Sequence, residues 1–210
     1  MEGDWDAVWN RWYWQHEFLY KCWHRFLWHA YQRLLQCVEL APHSRVLELG
    51  SGSGRISLMI AATYHCSVTL VDISKGAISS AEAAFRERGI PGNFICSDVF
   101  DIGMRNEFDL VHSEGLIEHF NHERSLALLK IHREALHSKG HIITFAPVPT
   151  VSYAVTSWLL KATGNWPFGW EVTMSLGEHI ALYEDASVKV VRHTSVLQRE
   201  LGLLGQVKML

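Results

Sequence analysis

Hydrophobic residues recur every three or four positions through the first part of the chain, from about Asp4 to Leu40. This spacing places them on one face of an α-helix. The stretch contains no proline, and it ends before Pro42 in the segment APHS. The pattern therefore predicts a long amphipathic helix. Five of the nine tryptophans lie between Trp5 and Trp23, so we expect this helix to form an aromatic-rich cap.

Short apolar runs then alternate with amphipathic stretches as far as residue 149. The apolar runs predict strands, and the stretches between them predict helices. The predicted strands cover residues 45–50, 67–74, 93–99, 107–115 and 141–149, and the helices cover residues 54–65, 75–89 and 124–140. Apolar strands separated by helices are typical of the α/β class, in which helices flank both faces of a mostly parallel sheet.

The pattern is weaker in the last sixty residues. It predicts a helix over 151–164, a loop over 165–179, a strand over 187–197 and a short strand within 205–210. The segment EHIALYEDASVKVVRHT leaves little room for a regular helix before the sixth strand, and we expect the last strand to be curtailed. We divide the chain into a cap, residues 1–42, and a main part, residues 43–210, within a single domain overall.

Composition excludes several classes of protein. The net charge is −3 with no large basic block, so the sequence does not indicate binding to nucleic acid. No apolar run has the length of a membrane span, and the acidic, aromatic N-terminus resembles neither a signal nor a transit peptide. The four cysteines show no C-x-x-C pairing, which favours reduced thiols and a cytoplasmic location.

The segment VLELGSGSGR carries the first candidate chemistry. Gly50, Gly52 and Gly54 lie between the first predicted strand and the first predicted helix after it. Glycine accepts positive φ angles and lets a ligand approach the main chain closely. In an open parallel sheet this turn lies at the carboxyl ends of the strands, where ligands bind. Dinucleotides and S-adenosylmethionine both fit such a turn.

The spacing and charge of this turn favour the second ligand. A dinucleotide motif, G-x-G-x-x-G, would place its third glycine at Arg55, whereas here it falls at Gly54. The carboxylate of Glu48 would repel a pyrophosphate but attract the cationic amino group of a methionine moiety. Asp72 ends the second strand and can accept hydrogen bonds from ribose hydroxyls, although dehydrogenases place an acid there too.

Three further residues suit an adenosine. Ile73 offers an apolar surface to an adenine ring, and Asp98, at the end of the third strand, can accept from its amino group. Val99 supplies a main-chain N–H and an apolar side chain beside it.

The segments VLELGSGSGR, LVDIS, CSDV and FDLVHSEGLIEHF, in this order and spacing, resemble class I S-adenosylmethionine-dependent methyltransferases of the small-molecule type. The resemblance covers roughly residues 44–150. It implies a Rossmann-like, doubly wound sheet, S-adenosylmethionine as cofactor and S-adenosylhomocysteine as product. It also implies cofactor contacts at Glu48, Gly50, Ser51, Gly52, Gly54, Asp72, Ile73, Asp98, Val99 and Ser113, with Glu114 close to the methionine end and the substrate.

The resemblance also places Glu118 and His119 at the mouth of the active site. A histidine there can take the proton that an acceptor phenol, acid or amine must lose, or it can simply orient the loop. Some quinone O-methyltransferases hold a divalent metal in this segment, with a first acid three residues before the second. Here that position is Gly115 and the nearest acid is Glu114, so we predict no metal.

The expected activity is in-line transfer of a methyl group from the sulfonium to a small-molecule acceptor, for which orientation is the main requirement. Two alternatives remain open: a module that binds cofactor or a partner without turnover, and an NAD-dependent oxidoreductase. The glycine spacing, Glu48 and the lack of a Y-x-x-x-K motif count against the oxidoreductase. The aromatics of the N-terminal helix either pack on the sheet or close over the methionine, with Trp12 and Tyr13 as candidates. The oligomeric state stays open.

Overall fold

The computed structural model describes residues 5–9, 13–166, 169–197 and 199–207, with no account of the side chains of residues 7 and 13–21. Seven strands form one sheet in the order β3-β2-β1-β4-β5-β7-β6. The strands are β1 (Arg45–Leu49), β2 (Ser67–Asp72), β3 (Asn93–Cys96), β4 (Phe108–Glu114), β5 (Leu136–Pro147), β6 (Val188–Val196) and β7 (Glu200–Val207). The first five run parallel, and β7 is antiparallel to both of its neighbours. The predicted fold class is confirmed.

Helices and one 3₁₀ turn connect the strands. They are α1 (Trp5–Ala7), α2 (Tyr13–Leu35), α3 (Arg55–Tyr64), α4 (Lys75–Arg88), the 3₁₀ turn Ile117–His119, α5 (His122–Ala135), α6 (Val151–Ala162) and α7 (Leu176–Asp185). Local sequence sets several of their ends. The side chains of Ser74 and Asn121 cap the first turns of α4 and α5, and Gly89 ends α4 in the left-handed conformation.

The connectivity opens a crevice beside β1. The chain runs outward from β1 through β2 to β3 and then returns to place β4 on the other side of β1. The registers Val46↔Leu110 and Leu47↔Val111 join β1 to β4. The connections after these two strands leave in opposite directions, so the carboxyl ends of β1 and β4 flank the position where such sheets bind ligands.

The C-terminal half of α2 is part of the core. Leu27, Tyr31 and Leu34 are fully buried, and the ring of Tyr31 stacks on Phe145 of β5 with centroids 4.7 Å apart. The Tyr31 hydroxyl lies 3.2 Å from Nδ1 of His112 on β4. This part of the predicted N-terminal helix therefore covers one face of the sheet, while α5 and α7 cover the other. That residues 1–42 act as a separate cap stays a prediction.

Two expectations about the C-terminal region are wrong. The helix α7 occupies ten residues where the sequence left little room for one. Its first turn carries a capping box, in which the side chains of Ser175 and Glu178 each accept a hydrogen bond from the other residue's main-chain N–H. The last strand is not curtailed, because β7 spans eight residues and pairs along its length with β5 and β6.

One internal boundary also differs from its prediction. The helix expected over 124–140 ends at Ala135, and β5 begins at Leu136. Sequence periodicity commonly misplaces such ends, because the helix stops where its main chain joins the sheet.

Candidate functional site

A cavity of about 390 Å³ opens at the carboxyl ends of the parallel strands. Its walls come from the N-terminal segment, the glycine turn, the ends of β2, β3 and β4, the 3₁₀ turn, α6 and the segment that joins β6 to β7. The predicted site residues that line it are Glu48, Gly50, Ser51, Gly52, Asp72, Ile73, Asp98, Val99, Glu118 and His119. The fold thus collects residues from several separate sequence segments around one space.

The glycine turn has the conformation that its sequence suggested. Gly50, Gly52 and Gly54 all have positive φ angles, of 65°, 51° and 64°. The main-chain N–H of Ser51 donates to the carbonyl of Val71, 3.0 Å away. A Cβ atom at position 52 would collide with the indole ring of Trp9, so the turn and the N-terminal segment fit together only with glycine there.

Gly54 and Ser113 do not line the cavity. A Cβ at Gly54 would collide with Leu70, so this glycine allows α3 to pack closely against β2. Ser113 is buried on the opposite face of the sheet, where its hydroxyl lies 3.1 Å from Nε2 of His132 on α5. Neighbouring residues of a strand point to opposite faces, and it is Glu114 that lines the cavity.

Glu48 is buried beside the glycine turn, with 3% of its surface exposed. Among the residues that the structure describes, no group hydrogen-bonds its Oε2 atom. Burial raises the pKa of Glu48 to about 8, against hydrogen bonds from Ser57 that lower it. Its neighbour His112, 3.8 Å away, is neutral because burial lowers its pKa to about 3. A cationic ligand group at Oε2 would satisfy this carboxyl.

Asp72, the last residue of β2, is hydrogen-bonded to the glycine turn. Its Oδ2 accepts from the N–H of Gly52 at 2.8 Å, and its Oδ1 accepts from the N–H of Ser74 at 2.9 Å. Burial raises the pKa of this carboxyl, while the same hydrogen bonds lower it. Each carboxylate oxygen accepts more than one hydrogen bond, so the fixed carboxylate can still receive hydroxyl donors from the cavity.

The residues expected beside an adenine also line the cavity. Ile73 is 44% exposed, which is unusual for isoleucine and leaves an apolar surface available to a ligand. Oδ1 of Asp98 accepts from the N–H of Phe100 at 3.0 Å, which holds the carboxyl at the end of β3. Val99 is buried and packs into the core.

The N-terminal segment reaches the cavity. Trp5, Val8 and Trp9 line it. Between them, Oδ1 of Asp6 accepts from the hydroxyl of Ser74 at 2.6 Å and from the N–H of Gly76 at 3.3 Å. These donors belong to the N-terminus of α4, which favours a negative charge. Sequence reasoning missed this attachment because nothing in local spacing links the two segments.

The two aromatics singled out in the sequence of this helix cannot be compared with these contacts. Trp12 lies outside the described residues, and so does the side chain of Tyr13.

Glu118 and His119 lie together on the 3₁₀ turn that follows β4. Nδ1 of His119 is 3.0 Å from the carbonyl of Trp170 and donates to it, which leaves Nε2 with its lone pair. Burial lowers the pKa of His119, so the ring is neutral near pH 7. The edge of the Trp5 ring packs against it, with centroids 4.8 Å apart.

Glu118 is the more deeply buried of the pair, with 4% of its surface exposed. Its Oε2 atom has no hydrogen-bond partner in the described part of the chain. Burial, and then the nearby carboxylate of Glu171, raise its pKa well above the ordinary range. The N–H of Val172 donates to the Glu118 carbonyl at 2.9 Å and holds the following segment against the turn.

Several cavity residues carried no sequence signal. They are Tyr153 and Leu160 on α6, Trp166 and Glu171 after it, and Arg199 and Glu200 before or within β7. Tyr153 donates a hydrogen bond from its hydroxyl to Glu171. Only the tertiary structure brings these residues to the glycine turn, because they lie far from its motifs along the chain.

One group of side chains could also hold a metal ion. Within the described residues, Glu118, His119 and Glu171 each offer one ligand atom, and these atoms lie within 4.8 Å of one another. Glu171 lies outside the segment in which some quinone O-methyltransferases carry their metal ligands. That no metal is bound stays a prediction.

Residues 46–140 match the family model described as a methyltransferase domain. A glycine/sarcosine/dimethylglycine N-methyltransferase of Actinopolyspora halophila is 28% identical over 124 residues, which are 58% of this chain and 22% of that protein. The chain spans about a quarter of the length of the curated relatives it matches. These relatives include N-, O- and ribosomal RNA methyltransferases by name.

Solved structures share the whole fold. A chain from the complex between the Haloferax volcanii Trm112 methyltransferase activator and a methyltransferase aligns over 100% of both chains, with a TM-score of 0.77 and 14% identity. Magnesium protoporphyrin IX methyltransferase of Synechocystis PCC 6803, with bound S-adenosylhomocysteine, aligns over 89% of this chain and 84% of its own, with a TM-score of 0.71 and 18% identity. Among the described helices, none combines the length and apolarity needed to cross a membrane.

Proposed function

We propose that the chain, whose residues 46–140 match a methyltransferase domain model, is a class I S-adenosylmethionine-dependent methyltransferase that methylates a small-molecule acceptor. The observation that carries the proposal is the buried Glu48 carboxyl, whose Oε2 atom lacks a partner in the described structure beside a glycine turn. A hydrogen-bond donor, such as the amino group of a methionine moiety, would satisfy this atom.

The remaining cofactor contacts follow from the chemistry of the lining. Asp72 would accept hydrogen bonds from the ribose hydroxyls, since its carboxylate is already fixed by two main-chain N–H groups. Ile73 would cover one face of the adenine, with Asp98 and Val99 at its edge. Glu48 would pair with the amino group of the methionine moiety. These roles divide the cavity into a cofactor side and an acceptor side.

The bound cofactor supplies an activated methyl group on a sulfonium. The chain then has to hold the acceptor atom in line with that methyl group, exclude water and receive a proton. Trp5 and Trp9 would shield this space from solvent. Nε2 of the neutral His119 would accept the proton, since Nδ1 already donates to the Trp170 carbonyl.

The surroundings support a small acceptor over a nucleic acid. The chain carries a net charge of −3, and carboxyl groups line the acceptor side of the cavity. Arg199 is the one lysine or arginine in the described lining that could pair with a phosphate group. The four cysteines are unpaired in the structure, which supports the proposed location in a reducing cytoplasm.

Calorimetric titration of the full chain with S-adenosylmethionine, S-adenosylhomocysteine and NAD tests the proposal. We expect both adenosyl ligands to bind and NAD to be rejected, because the third glycine of the turn falls at Gly54 and not at the dinucleotide position. Glu48→Gln should weaken binding of both adenosyl ligands, whereas Glu82→Gln, on the exposed face of α4, should not. Binding of NAD without the other two would instead establish the oxidoreductase alternative. Binding of cofactor with no methyl transfer to any acceptor would favour the binding module.

A further inference from the structure

The acceptor side of the cavity is rich in carboxyl groups. Glu114, Glu118, Glu171 and Glu200 line it, from the end of β4, the 3₁₀ turn, the segment before α7 and the start of β7. Among the described lining residues, Arg199 is the one lysine or arginine. The acid groups therefore outnumber the fixed positive charges in one enclosed space.

Two of these carboxyl groups each have one oxygen atom without a hydrogen-bond partner among the described residues. Oε2 of Glu118 and Oε2 of Glu200 are buried with no hydrogen-bond partner among the described residues. Glu118 lies on the cavity wall, yet only 4% of its surface is exposed. An unsatisfied buried carboxyl is costly, so its retention at a cavity wall points to a ligand that donates hydrogen bonds or carries positive charge.

The other two carboxyl groups already have partners. Glu171 accepts a hydrogen bond from Tyr153, and Glu114 lies 3.2 Å from Nε2 of His24. These contacts fix the side chains of Glu114 and Glu171 within the same cavity lining as Glu118. A positively charged ligand group would therefore meet a pre-positioned set of acceptors.

The aromatic lining indicates the kind of cation. Trp5, Trp9, Tyr153 and Trp166 contribute to the same walls. The faces of tryptophan and tyrosine rings attract organic cations and also cover the apolar body that carries the charge. A compact metal ion would use only Glu118, His119 and Glu171 of this lining, whereas an organic cation would also use the aromatic walls of the cavity of about 390 Å³.

Resting on the proposed function, we propose that the methyl acceptor is an organic amine, which the free Oε2 atom of Glu118 and the neighbouring acid groups hold as an ammonium ion. The ammonium group first gives one proton to a carboxylate of this set or to Nε2 of His119. The freed nitrogen lone pair then forms a bond to the methyl carbon, and the sulfur–carbon bond breaks with its electron pair remaining on sulfur. The products are the methylated ammonium ion and neutral S-adenosylhomocysteine.

A matched pair of probes tests the charge preference. The full chain is first saturated with S-adenosylhomocysteine and then titrated with 2-phenylethylamine or with its neutral isostere, 2-phenylethanol. We expect the amine to bind at least about tenfold more tightly, since charge-assisted hydrogen bonds are about twice as strong as neutral ones. Glu118→Gln should remove this preference, and Glu123→Gln, which alters an exposed acid on α5, should retain it.

Each other outcome has a distinct meaning. If S-adenosylhomocysteine itself does not bind, the proposed function fails; if it binds but the amine and the alcohol bind equally or not at all at millimolar concentration, only the amine inference fails. A separate titration with MnCl₂ tests whether a metal ion, and not an amine, binds at Glu118. Stoichiometric Mn²⁺ binding that Glu118→Gln abolishes, without any amine preference, would overturn the inference in favour of a metal site.

Discussion

Replacing Glu48 by glutamine should stabilise the ligand-free protein at alkaline pH, although it removes a residue that we assign to cofactor binding. Burial raises the pKa of Glu48 from 4.5 to about 8 in the folded state. A raised carboxyl pKa favours the folded state at low pH, and this contribution is lost as the pH rises from about 4.5 through about 8. Glutamine has a similar shape but cannot ionise. The free energy of unfolding of the variant therefore does not fall with pH through this group.

The magnitude follows from the difference between the two pKa values. A shift from 4.5 to about 8 corresponds to about 5 kcal/mol, because one pKa unit is worth about 1.4 kcal/mol. By the same linkage relation, about 1 kcal/mol of this loss has developed at about pH 5 and nearly all of it at about pH 9. The stability of Glu48→Gln relative to the parent chain should therefore rise by about 4 kcal/mol between these two pH values.

Urea unfolding at about pH 5, 7 and 9, followed by circular dichroism, measures this difference. Other titrating groups occur in both proteins and largely cancel in the comparison. Glu82→Gln, at an exposed position, should show no such trend. A difference between Glu48→Gln and the parent chain that stays constant over the whole pH range would refute the reasoning.

Three further predictions concern the cofactor side and the N-terminal segment. Asp72→Ala should raise the dissociation constant for S-adenosylhomocysteine roughly 30- to 1000-fold, because two lost charge-assisted hydrogen bonds cost about 2–4 kcal/mol; an unchanged constant in calorimetry would mean that Asp72 does not hold the ribose. Gly54→Ala should lower the free energy of unfolding in urea by about 2–4 kcal/mol, since a Cβ there meets Leu70 at a positive φ angle; a neutral result would contradict the packing role. Deleting residues 1–20 should leave a folded sheet with weakened S-adenosylhomocysteine binding, because Trp5 and Trp9 line the cavity; full affinity would show that the segment only packs.

The architecture of the parallel sheet was predictable from the sequence because its determinants are local. Each of the first five strands is an apolar run, and the helices between them have their own amphipathic period. The glycine turn and the acids at Asp72 and Asp98 were predictable for a related reason. Parallel strands bring their carboxyl ends to one edge, so residues that end successive strands lie near one another once the sheet is assigned.

The C-terminal helix has a local signal that periodicity alone does not capture. Ser175 and Glu178 have the spacing of a capping box before an apolar stretch, and α7 begins there. The orientation of Ser113 is a different case. Its sequence position suggested a cavity contact, but the strand alternation that points Glu114 to the cavity directs Ser113 to α5.

The sequence indicated part of the proposed acceptor side through Glu114, Glu118 and His119, and the tertiary structure added the rest. Glu118, Glu171 and Glu200 meet at one cavity although they lie far apart along the chain, and Asp6 reaches the N-terminus of α4 across a similarly long span. Such contacts depend on how loops close over the sheet, and no periodicity in the chain records them. The sequence by itself therefore determined the parallel strands and the glycine turn, whose geometry follows from local pattern and parallel pairing. The charge and shape of the acceptor cavity arise only where distant segments pack together.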